Sequence, residues 1–175
     1  FFETTWTAEN CRYPVRKTQE NRDDRTRPAN IIITCTDNTR SRLELWRFLK
    51  KYREASVNNE RAVYYWMDFG NAQTTGQVFI GTVRNKIRQP ASKEFMPVPE
   101  MNVITEEVNY STIEEKDSGP SCSLAEALER QDLYINSILA QVGCDILWKM
   151  FKEGRTLYRG AYINLDTLRV NPIPV

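Results

Sequence analysis

The sequence contains no histidine among its 175 residues. This absence removes the commonest general base, every Ser–His or Cys–His pair, and histidine as a metal ligand. Its four cysteines lie far apart and form no C-x-x-C pair, so neither a structural zinc site nor a redox dithiol is indicated. Any chemistry must therefore use carboxylates, lysine or arginine, a thiol, or a bound ion.

Glycine and long apolar runs are also scarce. The seven glycines are dispersed, so the sequence contains no Gly-rich phosphate-binding loop. No apolar run approaches the roughly 20 residues that a membrane-spanning helix needs. The net charge is +1, so electrostatics demand neither nucleic acid nor an anionic membrane as a partner. These features predict a cytoplasmic protein with reduced thiols, no nucleic-acid partner and no membrane partner.

The segments that are present predict an α/β fold with a mixed sheet. Three consecutive isoleucines in residues 31–35 are typical of a strand that is buried on both faces in a parallel sheet. A helix is expected over residues 41–52. Two further strands, residues 62–68 and 77–83, are expected to pair as a hairpin.

The second half predicts one long helix and a closing hairpin. A capping box at Ser123 and Glu126 opens a mostly apolar helical tract that ends at Gly154, and we expect this helix to be buried. Strands are expected at residues 157–165 and 168–170, with Pro172 and Pro174 ending further pairing. Residues 14–30 are interpreted as a polar loop and residues 86–120 as a long crossover loop within a single, partial domain of residues 1–175.

The first expected strand ends in Thr36-Asp37-Asn38, directly before the first helix. Open α/β sheets bind ligands at the carboxyl ends of their strands, so Asp37 is placed to hold a metal ion or a ribose. A simpler interpretation is that Asp37 or Asn38 only caps the helix. The sequence pattern leaves both interpretations open.

Several motifs together resemble the C-terminal half of the ThiF/MoeB/HesA family, the prokaryotic relatives of ubiquitin-activating enzymes. The Cys-Thr-Asp-Asn segment with its following arginine, residues 35–42, is one of them. Residues 66–71 (WMDFGN), 75–78 (TGQV), 120–128 (PSCSLAEAL) and 131–136 (QDLYIN) resemble the ThiF-like branch found in PRTRC gene systems. The resemblance covers nearly the whole chain.

The resemblance implies a Rossmann-like enzyme that uses ATP and Mg²⁺ to adenylate the C-terminus of a ubiquitin-like β-grasp protein or sulfur carrier. It implies that Asp37 is the magnesium-side carboxylate, that Asn38 flanks it, and that Arg42 braces the loop or faces the phosphates. Gly70 and Asn71 become weak candidates for the groove that holds the substrate tail, although a hairpin turn explains them equally well. It also implies a homodimer and, in some relatives, a conjugating-enzyme-like partner; no zinc is expected.

The chain departs from the family because the Gly-rich ATP loop and the Asp-x-Asp strand of the N-terminal half are missing. We therefore expect the chain to be a C-terminal portion, inactive alone, whose other half was cut away or comes from another chain. Two alternatives stay open: a non-catalytic scaffold that binds a ubiquitin-like or conjugating partner, and another Rossmann-type enzyme such as a methyltransferase, in which Asp37 would contact a ribose.

The cysteines differ in expected environment. Cys122 precedes the capping box, where helix amides lower a thiol pKa, and some relatives form a thioester near this crossover; Cys122 is therefore a possible nucleophile. The competing interpretation is a turn residue that simply packs. Cys35 and Cys144 are expected to be buried and inert, and Cys11 carries little information.

Overall fold

The computed structural model describes residues 29–36, 38–53, 63–84, 87, 93–94, 100–110 and 131–175. Cys11, Asp37, Cys122, the capping box at residues 123–126 and nearly all of the polar loop at residues 14–30 lie outside the described residues. The predictions made for them therefore stay predictions. No helix in the described part of the chain has the length and apolar character that crossing a membrane requires.

The described residues form one five-stranded mixed sheet with helices on both of its faces. The elements, in chain order, are β1 (Ile31–Thr34), α1 (Thr39–Arg53), β2 (Tyr65–Asn71), β3 (Thr75–Thr82), α2 (Ile104–Glu107), α3 (Ile135–Glu153), β4 (Tyr158–Asn164) and β5 (Arg169–Pro174). The strand order is β1-β2-β3-β4-β5. Only β1 and β2 are parallel, whereas every later neighbour pair is antiparallel. The predicted α/β class and the β2–β3 hairpin are confirmed.

Two strand predictions need correction. The first strand ends at Thr34 rather than at residue 35, and Ile33 is 53% exposed, so the expectation that both faces of this strand are buried is wrong. The physical reason is position: no described residue pairs with the outer edge of β1, and α3 packs mainly against β2, β3 and β4. The second strand runs to Asn71, three residues beyond the predicted end.

One face of the sheet is covered by α1 and the segment at residues 100–110. Leu45, Trp46 and Leu49 of α1 form one core cluster with the β2 residue Trp66, whose ring stacks on Trp46. Val103 belongs to the same cluster. Arginines anchor the segment at its charged side: Arg53 bonds Glu100 and Glu106, and Arg159 bonds Glu107. Residues 100–110, a part of the predicted crossover loop, therefore form an ordered segment that covers the core.

The opposite face is covered by α3. Its inward side chains, Ile135, Leu139 and Ile146, pack on apolar residues of β2, β3 and β4. Gly143 allows the helix to approach closely, since a Cβ there would lie 2.6 Å from Phe69 Cε1. Packing of the long helix across the sheet is confirmed, and α3 ends at Gly154 in the left-handed conformation that glycine favours. The helix is not buried all round, because Trp148 is 60% and Phe151 65% exposed.

The predicted role of the C-terminal prolines is wrong. Pro172 and Pro174 lie within β5, opposite Ala161 and Tyr158, and the backbone N–H of Val175 still donates to Leu157. Because β5 is an edge strand, only alternate N–H groups are needed for its single ladder, and proline is tolerated at the other positions. The prolines therefore define an edge of the sheet rather than its end.

Candidate functional site at the carboxyl ends of β1 and β2

A buried carboxylate joins the three elements that meet at the carboxyl ends of β1 and β2. Asp68, the middle residue of β2, is 1% exposed. Its Oδ1 accepts a hydrogen bond from Thr34 Oγ1 at 2.6 Å, at the end of β1. Its Oδ2 accepts one from Arg42 Nε at 2.8 Å, in the first turns of α1. Trp66 extends the network, because its Nε1 donates to Thr34 Oγ1 at 2.8 Å.

The Arg42 guanidinium has a second partner on the same strand. Its Nη2 donates to the Phe69 carbonyl at 2.9 Å. A Cβ at Gly70 would lie only 3.0 Å from that nitrogen, so a bare backbone at position 70 leaves room for the guanidinium. The guanidinium also lies 5.9 Å from the centre of the Tyr110 ring. Arg42 is thus enclosed by β2 and by the segment at residues 100–110.

The charges of this network are almost fully removed from water. Burial raises the pKa of the Asp68 carboxyl, while the charge of Arg42 and the hydrogen bonds from Thr34 and Arg42 act in the opposite direction. Burial likewise raises the pKa of the Tyr110 hydroxyl, again opposed by the charge of Arg42. A carboxylate in such a place is held by its partners, and removing one partner leaves an uncompensated buried charge.

The same network brackets the connection between β1 and α1. Thr34 ends the strand on one side, and Arg42 lies just inside the helix on the other; both bond to Asp68. Within the connection, Asn38 Oδ1 accepts a hydrogen bond from the backbone N–H of Ser41 at 2.7 Å. Asn38 therefore caps α1, as the simpler interpretation of the Thr-Asp-Asn segment requires.

The structure places the remaining predicted residues as follows. Arg42 lies in the first turn of α1, with its guanidinium bonded to Asp68 and to the Phe69 carbonyl. Gly70 lies within β2, opposite Gln77. Asn71 is exposed at the strand end, where its Nδ2 donates to the Ala72 carbonyl, and the Ala72 N–H closes the hairpin on Thr75.

The sequence reasoning missed Asp68, although a signal was present. Asp68 is the only charged residue in the aromatic and apolar run at residues 63–69. A carboxylate inside a strand that is otherwise built for burial requires a cationic or hydrogen-bonding partner. The arginine of the Thr-Asp-Asn motif, 26 residues earlier, is that partner.

The predicted burial of two cysteines is wrong. Cys35 lies after the last residue of β1 and is exposed, and Cys144 is exposed on the outer side of α3. The prediction assumed that every residue of an apolar strand or helix faces the core. In the structure only one side of α3 does so, and position 35 already belongs to the connection.

Two observations bear on a bound ion. Among the residues that the structure describes, no three acidic or cysteine side chains come together in a group that could hold a metal ion. The Thr36 hydroxyl, next to Asp37 in sequence, is buried and has no hydrogen-bond partner within the described part of the chain. A buried polar atom of this kind is uncommon, and a ligand oxygen or an ion would satisfy it.

No protein-family model and no curated protein matches this chain.

Proposed function

We propose that this chain is the C-terminal part of a ThiF-like, Rossmann-type adenylating enzyme that activates the C-terminus of a ubiquitin-like protein with ATP and Mg²⁺. The motifs at residues 35–42, 66–71, 75–78 and 120–136 support the family. The arrangement of a parallel β1–β2 pair, an antiparallel extension and flanking helices is compatible with it.

The observation that carries the proposal is the outer edge of β1, with which no residue in the described part of the chain pairs. β1 pairs in parallel with β2 on its other side, and Ile33 is exposed. A further parallel strand with its helix would bury Ile33 and make the end of β1 an internal crevice. Ligands of open α/β sheets bind in such crevices.

The residues at the end of β1 would supply some of the ligands for a magnesium ion that is bound with a nucleotide. Mg²⁺ is commonly held by one or two carboxylates together with substrate phosphates, and Asp37 with the neighbouring Thr36 hydroxyl would supply protein oxygens. Asp68 is not available as a second ligand because it is almost completely buried, with Thr34 bonded to one of its oxygens and Arg42 to the other. When bound, Mg-ATP supplies the α-phosphate that the substrate carboxylate attacks.

The chain's own residues would serve this reaction by positioning rather than by covalent chemistry. Acyl adenylation depends on aligning two anionic groups and neutralising their charge, a task that needs no histidine. Arg42, held by Asp68, would support the site rigidly from the β2 side. Gly70 and Asn71 stay weak candidates for the substrate groove, because close packing and turn geometry account for both.

The test is pyrophosphate exchange by the full-length protein in the presence of its ubiquitin-like partner. We expect Mg-ATP-dependent exchange in the natural protein and background exchange in Asp37→Ala. The matched control is Asp145→Ala, which removes an exposed carboxylate on α3 and should leave exchange unchanged. Residues 1–175 alone should bind ATP weakly or not at all, because they lack a backbone anion cradle.

The results that contradict the proposal are distinct. Unchanged exchange in Asp37→Ala removes Asp37 from the site, and absence of exchange in the natural protein removes the adenylation reaction.

The prediction of a thioester at Cys122 has its own test: a thiol-sensitive adduct with the partner should disappear or become thiol-resistant in Cys122→Ser. Normal adduct formation in that variant would make Cys122 a turn residue.

A further inference from the structure

The Asp68 carboxylate bonds residues on both sides of the connection between β1 and α1. Thr34 is the last residue of β1, and Arg42 is the fourth residue of α1. Each donates to a different oxygen of Asp68. The seven residues between them are therefore anchored at both ends to β2, a strand on which the core of each face is built.

We propose that Asp68 is a positioning residue that fixes the end of β1 relative to the first turn of α1 by binding both Thr34 and Arg42. The proposal rests on the proposed function in one respect: the connection contains Asp37 by sequence, so its conformation sets where the magnesium-side carboxylate lies. The anchoring itself is a property of the described residues.

Three features of the geometry support a clamp rather than an ordinary buried ion pair. The two hydrogen bonds use separate oxygens, so each end of the connection is fixed independently. Trp66 Nε1 donates to the Thr34 hydroxyl oxygen, so the proton of this hydroxyl is oriented toward Asp68. The second Arg42 bond, to the Phe69 carbonyl, fixes the plane of the guanidinium against the same strand. A planar, multiply bonded arginine has little freedom to swing away.

Within the connection, Asn38 caps α1. Loss of Asp68 would remove the bonds that join Thr34 and Arg42 to β2, whereas the apolar core under α3 does not involve Arg42. A merely structural residue would instead loosen both regions together.

The experiment is hydrogen–deuterium exchange by mass spectrometry on the nucleotide-free protein, with a matched pair of variants. Thr34→Val removes one arm of the clamp, and Thr82→Val removes another buried threonine hydroxyl, which bonds Met101 away from the connection. In Thr34→Val we expect exchange at the start of α1, where the Ser41 N–H donates to Asn38, to rise by about ten- to hundredfold, the change that loss of a hydrogen bond to a charged group implies. Exchange in α3 should change less than about twofold. Thr82→Val should leave exchange at the start of α1 unchanged.

Asp68→Asn and Thr34→Ser complete the design. The amide of Asp68→Asn cannot accept from both donors, so it should raise exchange at the start of α1 as Thr34→Val does. Because it also leaves the Arg42 charge unpaired and lowers global stability, the comparison with α3 is made on Thr34→Val. Thr34→Ser, which keeps the hydroxyl, should exchange as the natural protein does. In pyrophosphate exchange, Thr34→Val should raise the KM for ATP more than it lowers kcat. Unchanged exchange at the start of α1 in Thr34→Val, or an equal increase in α3, overturns the positioning role. Absence of pyrophosphate exchange in the natural protein would overturn the enzyme assignment alone, because the deuterium result does not depend on it.

Discussion

The two faces of the sheet are packed by different means, although they share the same strands. On the α3 side, Met67, Val78 and Ile80 are fully buried and meet only apolar neighbours in their cluster. On the α1 side, the alternate residues of β2 are Trp66 and Asp68, and the second of these is a buried charge. The face under α3 is close-packed and apolar. The buried charge on the other face lies beside the carboxyl end of β1, and ligands of open sheets bind at the carboxyl ends of the strands. A buried ion pair adds little net stability, so its presence there points to positioning.

The largest expected effect concerns the charged face. Asp68→Ala leaves the Arg42 charge buried and unpaired, and we expect a loss of about 3–5 kcal/mol in the free energy of unfolding. Arg42→Met should cost a similar amount, because Asp68 is then unpaired. The double variant should cost clearly less than the sum, which urea denaturation of all four proteins would measure. Additive losses would show that the two residues stabilise the fold independently.

A smaller effect is expected on the apolar face. Gly143→Ala forces Phe69 to move, and overpacking of this kind typically costs about 1–3 kcal/mol, reduced by about 1 kcal/mol through the better helix propensity of alanine. Thermal or urea unfolding measures the difference. Ser137→Ala, at an exposed position of the same helix, is the control and should be nearly neutral. A stabilising Gly143→Ala would mean that α3 packs less closely than the structure indicates.

The smallest effect on stability is expected at the outer side of α3. Trp148 lies on this side of the helix and is exposed, whereas Trp46 and Trp66 are buried and Tyr64 and Tyr65 are half-buried. If the protein is a homodimer through this surface, Trp148→Ser combined with Phe151→Ser should shift it toward monomer while changing unfolding by less than about 1 kcal/mol. Light scattering across micromolar concentrations measures this. A natural protein that stays monomeric throughout would contradict the predicted dimer.

The sequence was informative where local pattern decides the structure and uninformative where tertiary position decides it. The β2–β3 hairpin, the helix after β1 and the stop at Gly154 all follow from alternation, apolar spacing and glycine chemistry. The exposure of Ile33 and Cys144 depends on which neighbours cover a strand edge or a helix side, which the pattern of one segment does not contain.

Two further differences have the same origin. Pro172 and Pro174 look like strand breakers until β5 is known to be an edge strand. The Arg42–Asp68 pair depends on the parallel register of β1 and β2, which sets Thr34 opposite Asp68. The charged residue in an apolar strand was visible in the sequence; its partner became certain only with the fold.

The most direct test of the proposal that the chain is a C-terminal portion is the accessibility of position 33 in residues 1–175 and in the longer protein that the proposal requires. Ile33→Cys introduces a thiol on the exposed part of β1, and mass mapping separates its alkylation from that of the exposed Cys35 and Cys144. If the sheet continues beyond β1, the variant should be labelled rapidly in residues 1–175 and strongly protected in the full-length protein, while Cys144 is labelled in both unless a dimer covers α3. Equally rapid labelling of position 33 in both proteins would contradict a sheet that is completed at this edge, and with it the assignment to a ThiF-like adenylating enzyme.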